Sequence, residues 1–361
     1  MKGLVILVLL AGAIPSYAEF LIGADLSGLA LKEEQGALYF DDGKEVDALK
    51  IFKKNGFNTI RLRLFLEADG KWGAVNDLDH TLDLARRVKK AGFKLLLDLH
   101  YSDTWADPAH QHKPKEWEEL SFKELKKQVE EYTEGVITAF KKKGCLPDYV
   151  QIGNEIAPGM LWPDGRVGGD EFNTPQQWEQ LGDLLTAGVR GLRAVDRSKK
   201  IQIILHVHSG GSAKITDWFF SNIEKQNVPY DIIALSYYPW MHGPFQALEE
   251  NLAQLADKYR KQVIIAETAY PHRELKDKNQ KFDFEFPQTP EGQSEFLIRL
   301  KQTVQAIPDE KGLGIFYWYP EAIPVKGHGI WLNGATALFD KTGNALPAIS
   351  VLSKEAEPPP F

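Results

Sequence analysis

The sequence of 361 residues has a single cysteine, Cys145, and no run of basic residues longer than the three lysines at 141–143. One cysteine excludes an internal disulfide, so the folded chain depends on its hydrophobic core for stability. The formal net charge is −7. Binding to a polyanion needs a clustered positive patch, so we expect no nucleic-acid partner.

Apolar runs long enough to cross a membrane are also lacking. The run at 4–14 is shorter than the roughly 20 residues that a transmembrane helix needs. It follows Lys2 and precedes the small-x-small triplet at 16–18, a pattern typical of a secretory signal peptide. We therefore expect residues 1–18 to be removed on export, which leaves a secreted or periplasmic protein without a membrane span.

What the sequence does contain is a repeated alternation of short apolar runs with amphipathic helical patterns. The apolar runs, rich in Ile, Val, Leu and Phe, lie at 20–25, 57–65, 93–100, 148–155, 201–208, 231–238, 262–267 and 312–319. The helical patterns lie at 45–55, 77–91, 121–143, 175–195, 215–226, 246–260 and 290–306. Eight β/α repeats in a chain of this length predict an α/β fold, a closed (β/α)8 TIM barrel in a single domain.

An open doubly wound sheet is the alternative. Such a sheet normally has a glycine-rich phosphate loop after its first strand, and the segment at 23–36, "GADLSGLALKEEQG", lacks the GxGxxG spacing. The barrel is therefore preferred. We assign it to residues 19–350 and expect a C-terminal tail at 351–361.

Polar residues collect where the predicted strands end. In a barrel these ends form one mouth, where ligands bind. Charged and imidazole groups are costly to bury without partners, so their convergence predicts a functional site. The residues at the ends are Asp25, Arg61, Arg63, Asp98, His100, Asn154, Glu155, His206, His208, Tyr237, Tyr238, Glu267 and Trp318.

Two carboxylates stand out among these residues. Glu155 ends the fourth predicted strand and Glu267 ends the seventh, and these strands face each other across an eight-stranded ring. Two carboxyl groups about 5–5.5 Å apart serve a retaining glycosidase, one as nucleophile and the other as acid/base. The alternative is structural pairing of either glutamate with Arg61 or Arg63.

Tryptophans in the predicted loops favour a saccharide ligand. Aromatic faces stack on the C–H faces of sugars, and nearby polar groups such as Asp103 bind hydroxyls. The tryptophans that follow strands three, four, six and eight are Trp105, Trp162, Trp240, Trp318 and Trp331.

Five segments carry a more specific resemblance. The stretches at 95–114, 150–165, 231–243, 263–271 and 335–340 resemble the arabinogalactan endo-β-1,4-galactanases of glycoside hydrolase family 53. The resemblance implies a (β/α)8 barrel, a retaining mechanism and β-1,4-galactan side chains of pectin as the polysaccharide substrate. It implies no required cofactor, allows calcium as a structural ion, and is compatible with the monomer that we expect.

The resemblance also implies roles for single residues. Glu155 resembles the acid/base of the family, Glu267 its nucleophile, and Asn154 the group that binds the 2-hydroxyl of the sugar. Arg61 or Arg63 would keep Glu267 ionised, His206 and Tyr237 would orient the pair, and Trp318 would form the floor. The remaining residues expected to bind substrate are Asp98, His100, Asp103, Trp105, Trp162, His208, Tyr238 and Trp240.

Two rival functions remain open at this point. The triplets "DLH", "HQH" and "HVH" suggest a metal-dependent hydrolase, although the first strand ends in "GADLS" without a histidine. A non-catalytic sugar-binding barrel is the second rival, and we would expect it to have lost one of the two glutamates.

Overall fold

The computed structural model describes residues 19–275 and 284–354. The predicted signal peptide at 1–18 and the end of the predicted tail at 355–361 lie outside these residues. Within them, eight parallel strands close into a barrel in chain order, which confirms the predicted architecture. The strands are β1 (Leu21–Asp25), β2 (Thr59–Leu64), β3 (Lys94–Leu99), β4 (Tyr149–Ile152), β5 (Gln202–Val207), β6 (Ile232–Tyr237), β7 (Gln262–Thr268) and β8 (Gly312–Trp318).

The connecting helices lie outside the barrel, and the seven predicted ones lie close to their predicted positions. In chain order the helices are α1 (Leu29–Glu34), α2 (Ala48–Lys54), α3 (Leu78–Lys90), α4 (Phe122–Lys142), α5 (Gly169–Phe172), α6 (Pro175–Val195), α7 (Ala213–Lys225), α8 (Pro239–His242), α9 (Phe245–Tyr259) and α10 (Pro290–Gln305). Of these, α1, α5 and α8 are short helices that were not predicted. Side-chain hydrogen bonds cap the N-termini of several helices and explain where these helices begin. In α4, Ser121 and Glu124 form a reciprocal capping box. Within the described ranges, no helix is both long and apolar enough to cross a lipid bilayer.

Two boundaries differ from the sequence prediction. β4 ends at Ile152 rather than at Glu155, because Gly153 adopts a left-handed φ of 80° that breaks the extended backbone. After β8, where the sequence shows no helical pattern, the described chain forms short 3-10 turns such as Pro347–Ser350. Leu352 is buried in the main core, so packed structure continues past the predicted start of the tail at 351.

Inside the barrel, an apolar layer supports a polar one. The apolar layer is a compact cluster that includes Leu96, Tyr149, Ile204, Ala234 and Phe316. Because side chains alternate along a strand, the residue two positions later points to the same side, nearer the mouth. At those positions the chain has Asp98, Gln151, His206, Ser236 and Trp318.

A register shift in the pairing of β6 with β7 places Glu267 in this polar layer. Ala234 pairs with Ile264 and Leu235 with Ile265, but Ser236 pairs with Glu267 and skips one residue of β7. An extra residue of this kind re-aims the side chain that follows it. Glu267 therefore lies level with Ser236, at the rim of the barrel interior.

Close helix packing supports the barrel on one side. Gly191 of α6 is buried against α4, and a Cβ added there would lie 2.2 Å from the backbone oxygen of Glu130. Gly135 of α4 is exposed, and an added Cβ would meet no atom within 4 Å. The two helical glycines therefore differ in their packing.

We predict that Gly191→Ala lowers the free energy of unfolding by about 1–3 kcal/mol, because the α4 backbone must move away from the new methyl group. The control Gly135→Ala should raise it by about 0.5–1 kcal/mol, because alanine favours the helix. Urea denaturation of both variants measures the two effects. Equal effects of the two substitutions would contradict the close packing.

Candidate active site

A buried guanidinium lies at the centre of the polar layer. Arg61 Nη1 lies 2.9 Å from Asp25 Oδ2 and 2.9 Å from Glu267 Oε1, and Nη2 lies 2.8 Å from Asp98 Oδ2. Burial alone would lower the pKa of Arg61, but Asp98, Glu267 and Asp25 together raise it above its ordinary value. Arg61 therefore stays cationic and joins its own strand, β2, to β1, β3 and β7.

Amide and imidazole groups complete the layer around Arg61. Arg61 Nη2 donates to Asn154 Oδ1 at 2.9 Å and to Gln151 Oε1 at 3.1 Å. His206 lies between Asn154 and Ser236, with Nδ1 3.0 Å from Asn154 Oδ1 and Nε2 3.0 Å from Ser236 Oγ. Burial lowers the pKa of His206 well below its usual range, so the ring is neutral.

Both glutamates line one cavity of about 1330 Å³ at the mouth of the barrel. Ser236 Oγ donates to Glu155 Oε1 at 2.6 Å, and Tyr238 OH donates to Glu267 Oε2 at 3.1 Å. Because Ser236 is also the register partner of Glu267, the two carboxyl groups flank the same part of the mouth. Glu155 has a left-handed φ of 49°, a backbone conformation that is costly outside glycine and recurs at functional sites.

The pKa values of the two glutamates are shifted upward. Burial raises the pKa values of both Glu155 and Glu267 above their ordinary range. The pair therefore retains a proton near neutral pH. Arg61 opposes the shift of Glu267 and contacts it at 2.9 Å, so the negative charge is favoured on Glu267, whereas Glu155 accepts from the neutral hydroxyl of Ser236.

Aromatic rings form the floor and wall of the cavity. Trp105, Trp318 and Tyr319 line it, with ring centroids 6.1 Å apart for Trp105 and Trp318 and 5.1 Å apart for Trp318 and Tyr319. The guanidinium carbon of Arg63 lies 4.3 Å from the centroid of Trp105, and its Nη2 donates to Tyr319 OH at 2.8 Å. Arg63 therefore supports the aromatic floor, and the arginine in contact with Glu267 is Arg61.

The structure brings most predicted site residues to this mouth at two depths. Those that line the cavity are Asn154, Glu155, Glu267, Trp105, His208, Tyr238 and Trp318. Those fully buried beneath it are Arg61, Arg63, Asp98, His100 and His206. His208 Nδ1 is buried without a hydrogen-bond partner in the described parts of the chain, which leaves it available to a hydroxyl group.

Two residues predicted to contact substrate belong to the buried layer instead. The Asp98 side chain has 0% exposure and contacts Arg61, Gln151 and His100. The His100 side chain also has 0% exposure, with Nε2 3.0 Å from Asp98 Oδ2 and Nδ1 accepting from the amide of Ala106 at 3.1 Å. Both therefore hold other site residues in place and do not reach the cavity.

Four further predictions of site contact do not match the observed positions. Tyr237 OH donates to Gly243 O, away from the cavity, so the tyrosine at the glutamate pair is Tyr238. Asp103 accepts from the amides of Glu67 and Lys115 and anchors loops.

The other two are tryptophans whose rings do not line the cavity. The Trp162 ring lies under the guanidinium of Arg166 at 4.4 Å. The Trp240 ring packs against Tyr238, with centroids 5.5 Å apart. These two loop tryptophans thus pack against neighbouring side chains at the rim of the barrel and do not line the cavity.

Sequence reasoning missed Gln151, Ser236 and Tyr319. Each lies within three residues of a predicted site residue, at an inward position of its strand or just after it. Continuing the alternation of β4 and β6 by two residues from Tyr149 and Ala234 would have indicated Gln151 and Ser236.

In residues 19–275 and 284–354, no group of three or more His, Cys, Asp or Glu side chains is placed to hold a metal ion. Two imidazoles of "DLH" and "HVH", those of His100 and His206, are hydrogen-bonded to protein groups. Part of the loop after β7, at 276–283, lies outside the described residues, and calcium as a structural ion stays a prediction.

Comparison with known proteins gives consistent matches over almost the whole chain. The family model described as "Glycosyl hydrolase family 53" matches residues 21–352. An arabinogalactan endo-beta-1,4-galactanase of Cellvibrio japonicus is 35% identical over 350 residues, covering 91% of this chain and 89% of that protein. One of Thermothelomyces thermophilus is 31% identical, covering 92% and 98%. The solved GH53 catalytic domain of Ignisphaera aggregans has a TM-score of 0.84 and 34% identity, covering 94% and 98%.

The raised pKa of Glu155 predicts a pH-dependent stability. The folded state holds the Glu155 proton more tightly than the unfolded state, so its contribution to stability is present at low pH. That contribution is lost as the pH rises from about 4.5 to about 7. Glu155→Gln cannot ionise, so its unfolding free energy relative to the unaltered protein should increase between pH 5 and pH 8 by about 1 kcal/mol or more.

Urea denaturation at both pH values measures this difference. The exposed Glu119→Gln is the matched control and should show no such increase. A Glu155→Gln variant that behaves like the control would contradict the described environment of Glu155.

Proposed function

The chain belongs to glycosyl hydrolase family 53 and is a glycosidase, and from that premise we propose that it cleaves internal β-1,4-galactosidic bonds of galactan. The (arabino)galactan side chains of pectin are the proposed natural substrate. The observation that carries the proposal is the pair Glu155 and Glu267 in one cavity, with Arg61 at Glu267 only. The two relatives named as arabinogalactan endo-beta-1,4-galactanases support the choice of substrate.

The proposed reaction is a double displacement with retention of the anomeric configuration. The Glu267 carboxylate attacks the anomeric carbon and forms an ester to the sugar, while Glu155 gives its proton to the departing glycosidic oxygen. Glu155, now ionised, then takes a proton from a water molecule. The water oxygen attacks the same carbon, and the Glu267 carboxylate leaves.

The surrounding groups fit these two roles. Arg61 and Tyr238 stabilise the charge that Glu267 carries before attack and after release. Burial raises the pKa of Glu155 to about 7, which keeps its proton available at neutral pH. Asn154 Nδ2 donates one hydrogen bond to Ala106 O, and its second N–H is available to the 2-hydroxyl of the sugar at the cleaved bond.

The aromatic floor suits a galactose ring. The guanidinium carbons of Arg61 and Arg63 each lie 5.6 Å from the ring centroid of Trp318, and Trp318 also lines the cavity. A sugar stacked there would present its anomeric carbon to the two glutamates. A non-catalytic sugar-binding barrel is less well supported, because both carboxyl groups are present with distinct partners.

We further propose that the protein acts as a monomer after export, without a required cofactor. The N-terminal pattern at 1–18 supports export. The proposed chemistry supports the absence of a cofactor, because the acid, the nucleophile and the stabilising cation are side chains of the chain itself.

We predict that the purified protein releases reducing sugars from β-1,4-galactan and far less from mannan, xylan or cellulose. The reason is that related barrels share a carboxylate pair and differ in the groups that bind sugar hydroxyls. A reducing-sugar assay on the four polysaccharides measures this preference. Preferred hydrolysis of any of the other three would contradict the proposed substrate.

Glu155→Ala and Glu267→Ala are the matched variants for this assay. Each should lower kcat on galactan by roughly three orders of magnitude or more, because each removes one partner of the reaction. The melting temperature of each variant should stay close to that of the unaltered protein. Full activity of either variant would refute its role.

A further inference from the structure

An exposed tryptophan lies at one end of the cavity. Trp72, in the loop between β2 and α3, is 90% exposed, yet it lines the cavity together with Leu31 and Gln35. A large apolar side chain is costly to leave in water, and exposed apolar surface on a cleft marks a binding site. Neither catalytic step described above uses Trp72.

The loop holds Trp72 in a fixed and strained conformation. Its φ of 52° lies in the left-handed region, which costs a bulky residue about 1 kcal/mol or more. Gly70 N donates to Ala74 O at 2.9 Å, and Asp69 N donates to Asp103 O at 3.0 Å, which ties this loop to the one bearing Trp105. The indole is thus presented by a defined turn.

An aromatic track connects Trp72 with the glutamate pair. Tyr319 OH lies 4.0 Å from the position that a Cβ on Gly73 would take, so Tyr319 reaches the loop of Trp72. Tyr319 is adjacent to Trp318, with ring centroids 5.1 Å apart. Gly70 and Gly73 flank the indole and also line the cavity, so no side chain obstructs it from those positions.

We propose that Trp72 is a stacking platform for a galactose residue of the substrate on the non-reducing side of the cleaved bond, beyond the sugar on Trp318. This inference rests on the proposed function. The side follows from the roles of the glutamates. Glu155 protonates the departing oxygen, so the leaving chain lies on its side of the cavity, which His208, Ser209 and Met241 line. Trp72 lies at the opposite end of the cavity, which residues of α1 such as Leu31 also line.

The test uses β-1,4-galacto-oligosaccharides of increasing length, labelled at the reducing end, with the full chain and its Trp72→Ala variant. Loss of the indole should lower the ratio of kcat/KM between long and short oligosaccharides roughly tenfold, because only long ones reach Trp72. Cleavage positions should shift toward the non-reducing end of the long substrates. Trp72→Phe should recover most of the ratio, because it retains an aromatic face.

Leu38→Ala is the control, since Leu38 is 50% exposed and does not line the cavity. It should leave both the ratio and the cleavage positions unchanged. The melting temperature of each variant separates loss of binding from loss of folding, and a Trp72→Ala loss equal for all lengths would overturn the inference.

The remaining outcomes distinguish this inference from the proposed function. If the unaltered protein does not cleave galactan, the proposed function fails and this inference with it. If the unaltered protein is active and Trp72→Ala matches it at every length, only this inference fails. A loss that follows extension at the reducing end would also overturn it, because Trp72 would then bind the leaving chain.

Discussion

The Arg61 guanidinium lies 2.9 Å from carboxylate oxygens of Asp25 and Glu267 and 2.8 Å from one of Asp98, with no exposure to solvent. Three carboxylates around one cation are stable only if a proton or a second cation offsets the excess negative charge. Arg63 Nη1 lies 3.6 Å from Asp25 Oδ1 on one side. On the other side, the raised pKa values of Glu155 and Glu267 indicate that the pair keeps a proton.

This charge balance connects the fold with the chemistry. Strand register places Asp25 beside Arg61, and it places Asp98 on β3 two residues beyond the register partner of Arg61, so barrel closure assembles the ion pairs. The register shift at β7 adds Glu267. The same contacts that anchor the strand ends give the two glutamates different partners, Arg61 for Glu267 and Ser236 for Glu155. A buried ionic layer adds little net stability, because desolvation of the charges offsets their attraction. Its value here is that it fixes the geometry and protonation of the site.

Much of the fold and part of the site could be predicted from the sequence. Apolar runs and amphipathic patterns are local signals, so they located the eight strands and the long helices, and the residues at strand ends included both glutamates. Whether a strand-end side chain reaches the cavity or is buried beneath it could not be predicted, because this depends on strand register and on β-bulges. Tyr237 and Tyr238 are adjacent yet lie on opposite sides of the barrel wall, and Asp98 is sealed beneath the cavity. Loop tryptophans such as Trp162 have no periodic pattern that fixes their direction.

The central proposal is that Arg61 leaves the charge on Glu267 and thereby makes it the nucleophile. Incubation with a 2-deoxy-2-fluoro galactosyl donor that has a good leaving group, followed by peptide mass mapping, measures this directly. Slow release of the fluorinated sugar should leave it attached as an ester. The account predicts that the ester lies on Glu267. An ester on Glu155, or no adduct in a protein that hydrolyses galactan with inversion, would contradict it.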